Sequence, residues 1–320
     1  MVKYKFNNEV SKFLEEIKAL GGLQIDTLSP IEARKMSLME MPLPNVDLVV
    51  EIGADGPFGP IPINSYTPLN APSNKLLPAI VYYHGGGWVV GSRKGSDALC
   101  RYIANKTGFR VFSVEYRLAP EFKFPVPLED CFASLEFINK NHNDLLVDKD
   151  KLVVAGDSAG ANLATVVAIM AKNRKDINLA YQLLIYPVTD ASSHYPSYDD
   201  NAKGYLLEKS SMDWFFNHYL PNDEAKKDWR VSPILADDLS GLPPSYIVTV
   251  AADPLRDEGR AYAEKLKENG NKVEHKEYDD TVHAFFSWAT VFESSKKAVD
   301  EACDSTVSYT HLTLPTSYPV

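Results

Sequence analysis

The sequence predicts an α/β fold, a mostly parallel eight-stranded sheet with helices on both faces and a helical cap. Three observations carry this. From Ala79 onward, short apolar β-rich runs alternate with stretches of helical period. Four of the strand runs are almost continuously apolar, as strands buried on both faces must be. The rhythm breaks once, between Pro187 and Pro244, where no strand signal occurs.

The elements follow in order. Residues 9–20 place Phe13, Ile17 and Leu20 at helical spacing, and Gly21-Gly22 supplies a stop. A Pro-containing stretch covers 29–44. Residues 46–52 and 61–66 then read as an antiparallel pair across the turn-rich ADGPFGP. Six strands are expected at 79–83, 110–115, 151–155, 181–186, 245–251 and 272–278. Helices between them are expected at 96–107, 128–139, 159–173 and 258–269. The insertion holds MDWFFNHYL and reads as a cap helix packed with the N-terminal helix, its plain alternative being surface decoration. The expected layout is therefore N-terminal cap helices over 1–45 and a catalytic domain over 46–303 with the cap insertion at about 190–240. In the tail, 304–320, helical period is lost, Pro315 and Pro319 interrupt it, and the helix from Glu293 is expected to stop at Cys303. This stretch reads as disordered or foreign sequence.

Composition bounds the function. With 320 residues and 45% hydrophobic content the chain can bury a large core, and a formal net charge of -10 argues against a basic surface for nucleic acid or anionic lipid. Its longest basic clusters are pairs such as Arg93-Lys94 and Lys226-Lys227. Cys100, Cys131 and Cys303 are far apart and form no CxxC, so neither a disulfide framework nor a thiolate metal cage is expected. The N-terminus lacks the apolar core of a signal peptide. The most apolar long stretch, 152–171, is interrupted by Gly156, Asp157, Ser158 and Asn162, which a bilayer span should not carry. A cytoplasmic protein without membrane, metal or cofactor is the expectation.

The strongest motif is Gly156-Asp157-Ser158-Ala159-Gly160, which follows the apolar run LVVA and precedes the helix-like ANLATVVAIMA. A strand-turn-helix bend this sharp needs small flanking residues and pushes the serine hydroxyl out above the sheet, at a helix N-terminus that favours negative charge. The second motif, His84-Gly85-Gly86-Gly87-Trp88, directly follows a strand. Attack on an acyl carbon creates an oxyanion that needs backbone N–H donors. A glycine triplet supplies them, and Ala159 adds one more. Neither phosphate-loop spacing can be laid on GGGWVVGSRKG.

A hydroxyl needs a base to become a nucleophile. Among seven histidines, His283 follows the last strand. His275 lies within the strand pattern, His142, His194 and His218 precede the expected acid, His84 belongs to the glycine loop and His311 to the tail. The acid should follow the preceding strand, where Asp253 stands, with Pro254 fixing the backbone after it. Asp257 is a rival at a helix start, and Asp279 and Asp280 are weaker rivals on the loop of His283.

With these residues in view, the chain resembles the hormone-sensitive-lipase family of carboxylesterases, within the α/β-hydrolase superfamily. The resemblance rests on HGGGW at 84–88, GDSAG at 156–160, DPLRDEG at 253–259 and HAF at 283–285, with VFSVEYRLAPE, FPVPLED and the Tyr186-Pro187 pair between them. It spans about residues 10–303. It implies Ser158, Asp253 and His283 as catalytic triad, and Gly86, Gly87 and Ala159 as oxyanion donors with Gly85 shaping the loop. It also implies hydrolysis of short- to medium-chain acyl esters without a cofactor. Ala161 and Ala284 stand where glycine is frequent in the family. Trp88, Trp214, Phe215 and Phe216 are expected either to wall an apolar substrate pocket or to form plain cap core. An amidase or deacetylase would use the same triad. The gibberellin receptors, which resemble the family without catalysing, lose the histidine that is present here as His283. A small-molecule ester is the expected partner, and a homodimer is compatible with the sequence but has no argument in it.

Overall fold

The computed structural model describes residues 4–36 and 40–311. β1 (Leu48–Gly56) and β2 (Gly59–Thr67) form an antiparallel hairpin. Both strands run further than the expected turn allows. Of ADGPFGP only Pro57 and Phe58 lie outside the ladder, because a two-residue loop lets residues on either side pair directly. β3 (Leu77–Tyr83), β4 (Arg110–Val114), β5 (Val147–Asp157), β6 (Leu179–Ile185), β7 (Ser245–Ala252) and β8 (Val273–Val282) complete one sheet. Its order is β1-β2-β4-β3-β5-β6-β7-β8, antiparallel through β2 and β4 and parallel from β4 to β8.

The period-two alternation of β3 shows how the sheet divides the core. Ala79, Val81 and Tyr83 enter one cluster, and Ile80 and Tyr82 enter the other. Helices cover both faces. They are α1 (Asn8–Ala19), α2 (Pro30–Ala33), α3 (Asp97–Thr107), α4 (Val126–Lys140), α5 (Ala159–Lys172), α6 (Pro196–Asp200), α7 (Lys209–Tyr219), α8 (Arg256–Glu268) and α9 (Glu293–His311). The first cluster draws on α4, α5, α7 and α8, and the second on α1, α3 and α9. None of the helices among the described residues is long and apolar enough to cross a membrane.

Two expectations are corrected. The last helix does not stop at Cys303 but continues to His311, and residues 312–320 lie outside the described residues. The helical period was hidden because its buried positions beyond Cys303 are Thr306 and Thr310, whose hydroxyls donate to the carbonyls of Ala302 and Thr306 at 2.8 and 2.9 Å. Threonine buried in this way is satisfied internally but carries no apolar signal. Second, α1 does not pack chiefly into the cap. It places Val10 and Phe13 in the cluster on the other side, with Phe13 4.7 Å from the Trp288 ring. Asn7 caps α1, and its backbone N–H donates to the Asp280 carbonyl at 2.9 Å. The N-terminal segment that does reach α7 is the 3₁₀ turn Ile25–Thr27.

Candidate active site

β5 ends at Asp157 and α5 begins at Ala159, so Ser158 alone makes the bend, with φ 56° and ψ -120°. A non-glycine residue there is strained, and the surroundings must hold it. The Ser158 N–H donates to the Ile185 carbonyl at 2.8 Å, and α5 packs so close to β3 that a Cβ on Gly160 would overlap the Tyr83 carbonyl oxygen. Small residues flank the serine for this steric reason.

His283 follows the last residue of β8. Its Nδ1 lies 2.6 Å from Asp253 Oδ2 and its Nε2 3.0 Å from Ser158 Oγ. The carboxylate fixes the tautomer: Nδ1–H donates to it, which leaves Nε2 to accept the serine hydroxyl proton. Asp253 is fully buried, at 0% exposure, and the histidine and serine are 6% and 8% exposed, so water screens this chain of contacts weakly. Asp253 Oδ1 accepts the Leu255 N–H at 2.9 Å. Beneath it, the Asn201 side-chain amide donates to the carbonyls of both Ala251 and Asp253, at 3.2 and 2.9 Å.

The rivals are placed elsewhere. Asp257 accepts the Ser197 N–H and pairs with Arg256. Asp279 and Asp280 belong to β8 itself. His275 sits in β8 against Thr249. His84 stacks on Tyr116 at 4.3 Å, and burial holds its pKa below the usual imidazole value.

The glycine loop lies beside the serine. Gly85, Gly86 and Gly87 line one cavity with Ser158 and His283. The Gly85 N–H is already used, donating to Asp157 Oδ1 at 2.9 Å. The N–H groups of Gly86, Gly87 and Ala159 have no acceptor among the described residues. Gly86 has φ 113°, a conformation open to glycine, and its carbonyl accepts the N–H of Val89 and Val90.

Asp157 is a site residue that motif reading missed. It also accepts the Tyr82 hydroxyl at 2.6 Å. Its position as the variable residue of G-x-S-x-G gave no hint of a bond to a loop 72 residues earlier in the chain.

The expected pocket aromatics divide. Phe215 lines the cavity of about 320 Å³. Trp88 does not: it is 0% exposed and stacks on Tyr219 at 4.3 Å. Its φ of 61° turns the chain so that the indole enters the core under the cap. Trp214 packs edge-on against Phe215 and His218, and Phe216 lies 5.8 Å from the Trp88 ring. Successive residues of a helix point about 100° apart, so only one of 214, 215 and 216 can face the cavity. The other lining groups include Leu23, Ile25, Val90, Leu206 and Leu207.

Comparison with known proteins follows the same lines. The sequence model of a family described as having the alpha/beta hydrolase fold matches residues 80–287. The carboxylesterase NlhH of Mycobacterium tuberculosis is 38% identical over 250 residues, covering 77% of this chain and 77% of that protein. The chain belongs to this α/β-hydrolase family, among its hormone-sensitive-lipase-like carboxylesterases. Solved members of the family superpose closely. A hyperthermophilic esterase from the archaeon Pyrobaculum calidifontis gives a TM-score of 0.88 at 37% identity, covering 95% of this chain and 98% of that one. The ester-hydrolase EH1AB1 from the Lake Arreo metagenome, in complex with a derivative of bipyridine phosphonate, gives 0.89 at 39% over the same shares.

Proposed function

We propose that this α/β-hydrolase hydrolyses short- to medium-chain acyl esters, with Ser158 as nucleophile, His283 as general base and acid, and Asp253 as the group that orients and stabilises the imidazole. The observation that carries the reading is the unbroken run of contacts from Asp253 Oδ2 through His283 to Ser158 Oγ, at 2.6 and 3.0 Å.

The reaction proceeds in two halves. Nε2 of His283 takes the Ser158 proton as Oγ bonds to the ester carbonyl carbon, and the carbonyl π electrons move onto oxygen. The N–H groups of Gly86, Gly87 and Ala159 receive that oxyanion, each such donor supporting roughly a hundred- to a thousand-fold in rate. The imidazolium then returns its proton to the alcohol oxygen as the C–O bond breaks. Water, deprotonated by the same nitrogen, releases the acid from the acyl-serine. Asp253 remains ionised throughout.

Ser158→Ala is expected to abolish hydrolysis of p-nitrophenyl butanoate while the fold, followed by circular dichroism, persists. A fluorophosphonate probe should label the native protein once, at Ser158. Turnover surviving in Ser158→Ala, or labelling at another residue, would overturn the assignment.

A further inference from the structure

A second, larger cleft of about 1120 Å³ lies between α1 and the cap loop that precedes α7. Its walls combine apolar side chains, among them Phe6, Leu14 and Ile17, with charged ones such as Lys18 and Asp213. Leu23 and Leu206 line both this cleft and the cavity that holds Ser158. These two leucines, one from the N-terminal segment and one from the cap, therefore stand between the reacting serine and the outer cleft.

Leu206 is held there against its backbone preference. Its φ is 71°, in the left-handed region that favours glycine. The loop around it enforces the conformation. Lys209 N–H donates to the Ala202 carbonyl at 3.1 Å, Gly204 N–H to Glu208 Oε1 at 2.9 Å, and the Tyr205 ring is wedged against Tyr4 and Phe6. The fold thus holds this bulky side chain in place at a strained position.

We propose that Leu23 and Leu206 form a partition that ends the substrate channel, so that the native substrates are esters whose longer arm stops at this wall. The outer cleft is the continuation of the same path, closed to an aliphatic chain by the two leucines. This rests on Ser158 being the reacting group, and it adds the structural reason for a short- to medium-chain preference.

The test compares the native enzyme with Leu206→Gly and Leu23→Ala. Leu206→Gly removes the side chain and suits the left-handed backbone, and Leu23→Ala shortens the opposite side at a half-buried position without such strain. Each is assayed on p-nitrophenyl esters from butanoate to decanoate and on alkyl acetates from butyl to decyl, all below their micelle concentrations. The expected result is a rise of roughly tenfold in the long-to-short ratio of kcat/KM, in one of the two series, for both variants. That is the gain from burying about two further methylenes. The ratio is formed within each variant, so it reads the wall independently of any overall change in butanoate or butyl turnover. Ratios unchanged in both series, for variants that melt near the native temperature, would overturn the partition while leaving the esterase reading intact. Absence of butanoate turnover in the native enzyme would instead sink the reading of Ser158.

Discussion

The Asp157 carboxylate accepts the Gly85 N–H at 2.9 Å, so the residue just before Ser158 grips the glycine loop whose N–H groups are the proposed oxyanion donors. Bend and loop are thereby fixed to each other through one oxygen, which the Tyr82 hydroxyl also holds. Asp157→Ala should lower kcat by roughly ten- to a hundred-fold with KM little changed, because the donors serve the oxyanion more than the ground state. Asp157→Asn keeps an acceptor oxygen in place and should recover most of the loss. Steady-state kinetics on p-nitrophenyl butanoate decide it, and an alanine variant with native kcat would refute the role.

Trp88 supports the cap rather than the substrate. Trp88→Ala removes a fully buried indole stacked on Tyr219 and should lower stability by about 3–5 kcal/mol. The chain-length preference of the surviving folded enzyme should be that of the native one. Urea unfolding and the ester series measure the two effects separately.

Glu258 gives a pH signature. It is buried beneath the cap, where the Thr189 N–H donates to it at 2.7 Å and the Tyr198 hydroxyl at 3.0 Å. Burial nevertheless pushes its pKa up to about 8 from the ordinary 4.5. Between those values the folded chain binds more protons than the unfolded one, so this contribution to stability is complete below pH 4.5 and is lost as pH rises toward 8. The slope it can impose is at most about 1.4 kcal/mol per pH unit. Glu258→Gln should flatten the stability profile across that window in urea titrations at several pH values. A profile parallel to the native one would contradict the shift.

Asn201 should prove to be a support of the acid. Asn201→Ala removes the donor shared by the Ala251 and Asp253 carbonyls, which keep only the bonds from Arg256 Nη1 and the Arg256 N–H, each at 3.2 Å, and should cost about 0.5–1.5 kcal/mol per bond lost. A fall in Tm accompanied by a fall in kcat is expected. A lower Tm with native kcat would confine the role to folding.

Much of this was legible because independent signals coincide in the sequence. Ser158, Asp253 and His283 each follow the C-terminal end of a strand, two of these strands ending in apolar runs and the third, β8, being largely charged, and in a parallel sheet such ends share one edge. What stayed hidden depends on geometry that composition does not encode. The direction of Trp88 follows from its positive φ, the role of Asp157 from a contact between different strand ends, and the reach of α9 from threonines that satisfy themselves within the helix. Phe215 could be separated from its neighbours only once the rotation of α7 was fixed.

The placement of α1 bears on how the protein is made. Asn7 finds its acceptor at Asp280, 273 residues later. At a synthesis rate of 5–20 residues per second, the first helix emerges roughly 15 to 55 s before that partner exists. Throughout this interval Phe13 lacks the Trp288 and Phe292 rings it packs against in the folded protein. A ribosome-associated holdase would find a target there until β8 and the last helix are made.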